Sequence, residues 1–202
     1  MNGEIILLTS DLEASHLASI LHKHNPELSI IAVQKRAELE KVVLAGSHAN
    51  NWRRMIAFCS SVIVPTAVLN HLGGPAYNFH PGPPNYPGAH PASFAIYHQV
   101  DQYGVTVHEI TSTIDSGTIV ATEWFKVRDK IRFSELEMDA YKVLLSVFQR
   151  MSERLAKNPT PLLPSGETWS GKTNTREDFN RMREVTAEMD EGEITLRFRA
   201  FG

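Results

Sequence analysis

The stretch NFHPGPPNYPGAHP, residues 78–91, carries five prolines in fourteen residues. Proline lacks the backbone N–H and clashes with the preceding helical turn, so no helix runs through this segment. A central strand is excluded as well, because its ladder needs that N–H. The chain must build its regular structure on either side and cross a stiff, irregular loop between. That loop also brings Asn78, His80, Tyr86 and His90. It is therefore either a rigid linker between domains or a frame that holds reactive groups in place.

The flanks decide between the two. Residues 4–8 (EIILL) read as a buried strand, and apolar residues at 12, 17, 20 and 21 trace the helix that follows. A second strand is predicted at 28–33, a helix at 35–45, and strands at 55–60 and 75–79. Strands alternating with helices predict a mostly parallel twisted sheet covered on both faces. Beyond the loop, 91–99 suits a helix with Pro91 in its first turn. Residues 103–111 and 117–127 alternate apolar and polar around Asp115, Ser116 and Gly117, which predicts a β-hairpin with an acid in its connection. The clearest helix is 134–157, where Leu136, Ala140, Leu144, Phe148, Met151 and Leu155 form one apolar stripe, and Ser134 with Glu137 fits a capping box. From Pro159 a Pro/Gly/Ser/Thr-rich segment crosses to a tail, with helix starts at Thr175/Asp178 and Asp190/Glu193. The last run, 194–201, fits a helix and also alternates with period two. Strands on both sides of the proline loop argue for one domain, about 1–160, with 161–202 as linker and short helical tail.

Composition narrows the class. The 202 residues suffice for one sizeable α/β domain. A net charge of −3 without a basic stripe speaks against a nucleic-acid partner. The one cysteine, Cys59, excludes an internal disulfide; in the run MIAFC it reads as a small buried hydrophobe rather than a nucleophile. With no stretch of about 18 apolar residues, a membrane span is not expected. The N-terminus lacks a basic leader and reads as a first strand, which makes a cytoplasmic location the default expectation. His16, His22 and His24 fit no metal spacing and are expected at the surface, and no bound metal is expected. Trp124 and Phe125 read as packing residues.

The polar groups fall at informative places. Asn78 and His80 stand where a parallel strand ends, the side of an open α/β sheet where ligands bind. Thr106 and His108, two apart on a strand, share a face. Asp115 lies in the hairpin connection. An amide suits holding an oxyanion, an imidazole moves protons, and a carboxylate can favour a charged imidazole or accept a proton. Taken alone, these residues allow two readings: structural hydrogen bonding, or direct acyl transfer to an amine carried by the substrate.

NFHPGPPNYPG followed by GVTVHEITSTIDSGTIVATEWF resembles the signature of the folate-dependent formyltransferases. This family includes glycinamide ribonucleotide formyltransferase, methionyl-tRNA formyltransferase and the sugar-nucleotide N-formyltransferases. The resemblance covers about residues 55–127 well and 1–54 in layout. It implies a Rossmann-like formyltransferase fold ending in a β-hairpin and long helix, with 10-formyltetrahydrofolate as cosubstrate. By the same resemblance Asn78 holds the formyl oxygen and His80 assists, while Asp115 keeps His80 charged and helps remove the amine proton. The Thr106 hydroxyl supports His80, and His108 stands behind these groups. Ser60, Ser61, Ile63 and Val64 would wall the folate pocket, closed on its other side by Thr111, Ile114 and Asp115. Pro81, Gly82, Tyr86, Gly88 and His90 would line the acceptor pocket.

The departures from the family shape the expected substrate. After the first strand stands TSDLEAS, without the glycines of a phosphate loop. Pro87 precedes Gly88 where tRNA-acting relatives carry a basic residue, and the net charge is negative, so tRNA is disfavoured. The expected acceptor is a small primary amine, such as an amino sugar or a sugar nucleotide. Methionyl-tRNA formylation, formyltetrahydrofolate hydrolysis and a non-catalytic folate-binding module are the alternatives. RAFG at 199–202 resembles the start of the relatives' post-catalytic segment, which supports a helix there and suggests either a chain that continues or a minimal version. A tail ending in RFRAFG is compatible with a homodimer.

Overall fold

The computed structural model describes residues 3–45 and 52–202. Among these, six strands form one sheet in the order β2-β1-β3-β4-β5-β6. The strands are β1 (Gly3–Leu8), β2 (Ser29–Val33), β3 (Trp52–Phe58), β4 (Ala76–His80), β5 (Gln102–Glu109) and β6 (Ile119–Lys126). β1 pairs in parallel with β2 and β3, and β3 with β4. β5 and β6 continue the sheet antiparallel. The helices are α1 (Asp11–His22), α2 (Arg36–Ala45), α3 (Thr66–Leu72), α4 (Pro91–Tyr97), α5 (Phe133–Lys157), α6 (Arg176–Arg183) and α7 (Glu191–Phe201). This is the expected α/β architecture with a terminal hairpin and long helix.

The near-continuous apolar run of β1 is explained by burial on both faces. Ile5 and Leu7 enter one apolar cluster with Leu17 and Leu21 of α1 and the stripe of α5. Ile6 and Leu8 enter a second with Leu39 and Val43 of α2 and Val68 and Leu72 of α3. The first cluster is anchored by Phe58, Phe79 and Phe148, whose rings meet at centroid distances of 5.2–5.8 Å, the two contacts made by Phe148 being edge-on.

Several local expectations change. α3 carries no clear sequence signal and was not anticipated. Leu12, expected in the apolar stripe of α1, is 88% exposed, because the face toward the sheet is made by Ala14, Leu17, Ile20 and Leu21. α5 begins earlier than the Ser134 cap: Arg132 is its N-cap, and its amide donates to Glu135, so the helix start is held by Glu135 and not Glu137. Cys59 is exposed with a left-handed φ of 49°, just past β3, not buried within it. Trp124 is exposed on edge strand β6, while Phe125 packs against the core. His22 is half-buried, with a ring nitrogen 2.9 Å from the Leu28 carbonyl. Residues 194–201 lie in α7, capped by Asp190, whose Oδ1 accepts from the Glu193 amide at 2.8 Å. Ala200 and Phe201 join the main core.

One buried charge organises the far end of the sheet. Arg54 on β3 is fully buried. Its guanidinium donates to the carbonyls of Leu155 at 2.6 Å, Asn158 at 2.9 Å and Thr160 at 3.1 Å, and it lies over the Trp52 and Tyr77 rings. These carbonyls close the C-terminus of α5, where the helix dipole favours a cation. Arg54→Ala should lower unfolding free energy by about 3 kcal/mol, since it leaves buried carbonyls unpaired. Urea unfolding measures this, with an unchanged m-value showing that the loss lies in the native state.

Candidate active site

β4 reads AYNFH, and its alternation divides the labour between two faces. Tyr77 and Phe79 point into the core beneath α5, so Asn78 and His80 point to the other face. Antiparallel pairing sets His108 of β5 opposite Asn78 and Thr106 opposite His80. A register shift after Val107, which pairs with Ala121, sets His108 opposite Ile119 and leaves Val120 as an extra residue on β6. Such a bulge bends a strand and re-aims the side chain beside it.

The 110–118 connection leaves β5 near the start of β4 and folds back over this face. Asp115, with a left-handed φ of 40°, comes to rest between the two histidines. Its Oδ2 is 3.5 Å from His80 Nδ1 and its Oδ1 is 3.2 Å from His108 Nε2. The Gly88 amide donates to Oδ2 at 2.7 Å. The carboxylate is 8% exposed and the two histidine side chains 7% and 3%. Asn78, half-buried, is the more open member of the group. Its amide nitrogen lies 3.2 Å from His108 Nε2. His108 Nδ1 donates to the Glu109 carbonyl at 2.8 Å, so in the neutral ring Nε2 is free to accept from Asn78.

Burial pushes the His80 imidazole below its usual range, although Asp115 pulls the other way. Burial thus outweighs Asp115 and holds His80 toward its neutral form, against the expectation that Asp115 keeps it charged. Burial would raise Asp115 in turn, but the His80 and His108 contacts and the Gly88 amide take it down to about 2. The pair stands as ionised Asp115 and neutral His80 near neutral pH. His80 Nε2 faces the Tyr86 carbonyl at 3.4 Å. A protonated ring would therefore donate to acceptors on both sides, one of them charged.

The proline loop is fixed from below. Thr106 donates its hydroxyl to the Gly82 carbonyl at 2.7 Å, so it supports the loop instead of His80. The Tyr103 hydroxyl donates to the Pro81 carbonyl at 2.9 Å. A Cβ at Gly82 would collide with Pro91 and the His80 ring, and one at Gly88, where φ is +94°, with the Asn174 backbone. The expected acceptor residues therefore separate. Pro81, Gly82 and Gly88 serve the frame, and His90 stacks on Phe179 of α6 with centroids 3.8 Å apart. Tyr86 lines a cavity of about 360 Å³ with Phe94, Tyr97, His98, Lys172 and Arg181, its hydroxyl 3.0 Å from His98 Nδ1.

Of the expected folate wall, Ile63 is 62% and Ile114 48% exposed, while Val64 is buried in the second apolar cluster. Val62 and Ile110 pack against that same cluster, which brings the 60–64 and 110–115 segments to one region of the sheet. Ser60 accepts from the Val62 amide, Ser61 is exposed, and Thr111 bonds within its own loop. Sequence reasoning missed Trp169. It crosses the site from the 158–175 segment, with its ring centroid 4.9 Å from His108 and 6.0 Å from His80. A tryptophan isolated among Gly, Ser and Thr was its only signal. Among the described residues, no group of three or more His, Cys, Asp or Glu could hold a metal ion, and no helix is long and apolar enough to cross a membrane.

The sequence pattern of the formyl transferase family matches residues 18–139 of this chain. No protein of curated function matches it in sequence. Among solved structures, the chain is similar to a sugar N-formyltransferase from a Shewanella species, at 14% identity and TM-score 0.76, covering 98% of this chain and 87% of that one. It is similar to the N-formyltransferase of Helicobacter canadensis in complex with folinic acid and dTDP-3-aminofucose, at 16% identity and TM-score 0.72, covering 100% and 81%. It is also similar to the methionyl-tRNA formyltransferase of Clostridium thermocellum, at 21% identity and TM-score 0.66, covering 98% and 82%. At these identities the likeness establishes the fold.

The buried pair makes stability pH-dependent. His80 resists the proton that an unfolded histidine takes up, so stability should fall as pH drops below about 6.5. It should fall again between 3.8 and about 2, where Asp115 is forced to protonate. Thermal unfolding across this range measures both arms, and His80→Gln should remove the first and shrink the second, because the His80 contact helps hold Asp115 low.

Proposed function

The chain belongs to the formyl transferase family, and from that premise we propose that it moves a formyl group from 10-formyltetrahydrofolate to the primary amine of an amino-sugar nucleotide. The observation that carries this reading is the placement of Asp115 against both His80 and His108, beside a half-open Asn78. Support for the two substrates comes from the Helicobacter relative, which was solved with folinic acid and an amino-sugar nucleotide. The net charge of −3 favours such an acceptor over tRNA. Residues 1–160 would be the catalytic domain and 161–202 a strap and tail closing over it.

The chemistry then follows from the residues. The amine nitrogen attacks the formyl carbon, a C–N bond forms, and the carbonyl pair moves onto oxygen. Asn78 has one N–H directed to His108 and a second for that oxyanion, the kind of fixed donor that lowers an acyl-transfer barrier most. The amine proton passes to the His80–Asp115 pair. The imidazolium so formed is held between Asp115 and the Tyr86 carbonyl, and its charge stabilises the oxyanion. Collapse breaks the bond to N10 of the folate, which takes the proton back. The exposed Ile63 and Ile114 and the main chain of 60–64 and 111–115 would receive the pterin, and the cavity beside Tyr86 would receive the body of the acceptor.

With dTDP-linked amino sugars and 10-formyltetrahydrofolate, absorbance at the folate band should report transfer. Asn78→Ala should lower kcat about 100- to 1,000-fold, and Asp115→Asn about 100-fold or more. Activity should hold through about pH 6.5, the ordinary histidine value, and fall only at lower pH, because burial keeps His80 from taking a proton before substrate binds. Folate release that is indifferent to every amine tested would favour formyl transfer to water, and an Asp115→Asn enzyme with an unchanged rate would overturn the mechanism.

A further inference from the structure

The segment from Ser165 to Asn174 lies across the site as a strap. The Ser165 amide donates to the Ile119 carbonyl at 2.9 Å, at the base of β6. Ser170 donates to the Pro84 carbonyl at 3.0 Å, Asn174 to the Pro87 carbonyl at 2.9 Å, and Ala89 returns a bond to Asn174 at 2.8 Å. The strap is therefore hydrogen-bonded to both walls that hold Asp115: the hairpin connection and the proline loop. Trp169 stands between these anchor points. Its indole N–H donates to the Gly117 carbonyl at 2.8 Å, two residues from Asp115. Its ring meets His108 nearly perpendicularly, at 87°, and His80 at 70°. A charged side chain would solvate the histidines here, and a small one would leave room for water. An indole does neither.

We propose that Trp169 is a positioning residue that keeps water from the His80–Asp115 pair and so directs the formyl group to an amine instead of to water. The competing reaction is balanced by water alone. A water oxygen attacks the formyl carbon, the bond to N10 breaks, N10 takes a proton, and formate leaves. Both reactions use the same proton-accepting pair, so the choice between them depends on what stands in reach of the formyl carbon. The groups facing His80 are Asp115 from the hairpin connection, His108 from β5, the Tyr86 carbonyl from the loop and Trp169 from the strap. Of these only Trp169 presents an apolar ring, and it can be replaced without removing a charge, its one polar bond being to the Gly117 carbonyl. The rate consequence rests on the formyl-transfer reading, whereas the shielding of His80 does not.

Two readouts separate them. In Trp169→Ala, amine-independent release of tetrahydrofolate from 10-formyltetrahydrofolate should rise relative to transfer by about two- to tenfold, the range of an edge-to-face aromatic contact. Trp169→Phe, which keeps the ring and loses the bond to Gly117, should stay near the parent. The ring-proton titration of His80 by NMR in the folate-free protein should move upward in Trp169→Ala and return toward the parent in Trp169→Phe, which a loss of general stability would not produce. Should Trp169→Ala fail to fold, Trp169→Leu fills the volume without an aromatic ring and carries the same two measurements. A folded variant with an unchanged His80 titration and an unchanged release ratio overturns the inference. If the parent releases no folate at all, the formyl-transfer reading fails, and the His80 titration still decides whether Trp169 shields the pair.

Discussion

Everything at the candidate site depends on one buried carboxylate. Asp115 is held by the Gly88 amide and lies against His80 and His108, so a single side chain joins the proline loop, β4 and β5. Taking such a charge out of water costs several kcal/mol, and the cost is offset only where every oxygen finds a partner. Here Oδ2 accepts from the Gly88 amide, and Oδ1 lies 3.2 Å from His108 Nε2, which can donate to it once that ring is protonated. The same contacts hold Asp115 at a left-handed φ, a conformation that aspartate tolerates better than most residues but that still needs its surroundings to fix it. Strain, burial and charge meet at one position, the combination expected where a fold has been shaped around chemistry and not around stability alone.

The proline loop gains its meaning from that carboxylate. Its amides and carbonyls are committed: Gly88 to Asp115, Gly82 to Thr106, Pro81 to Tyr103, Tyr86 to His80, Pro84 and Pro87 to the strap. Prolines between these points limit what the unfolded loop can explore, which lowers the entropy lost in ordering it. Glycine appears where a Cβ has no space. The loop is thus the stiff rim of a site whose floor is two strands, and the positions of Asn78 and His80 depend little on ligand binding to arrange them.

Much of this was legible in the residues. The alternation of strands and helices predicts the layered sheet, and the strand end at 75–79 predicts where Asn78 and His80 stand. Asn78, His80, His108 and Asp115 are readable from the motif pair, and the structure brings all four together. What could not be read has physical reasons. α3 is seven residues long and too short for helical periodicity to show. Leu12 fits a helical stripe, but burial is decided by how α1 sits on the sheet. Thr106 lies opposite His80 in register, yet its hydroxyl finds the nearer Gly82 carbonyl. Most of all, the electrostatic state of His80 is a property of burial. A carboxylate 3.5 Å away argues for imidazolium on paper, and desolvation outweighs it in the folded chain.

Trp169 shows where local reading stops. It belongs to a segment without periodicity, 52 residues from the Gly117 it bonds, and only the path of the chain brings it over the histidines. That path is set at its start by α5, whose C-terminus is fastened to the sheet by Arg54, and at its end by the pairing of Asn174 with Gly88. The two buried charges are therefore linked through the chain. Arg54 fixes where the strap departs, Asp115 fixes the loop on which it lands, and between them an apolar ring is held against an ionisable pair. On the formyl-transfer reading the site needs both: a buried carboxylate held in place by its neighbours, and a cover whose one N–H is already committed to Gly117 and does not compete for it.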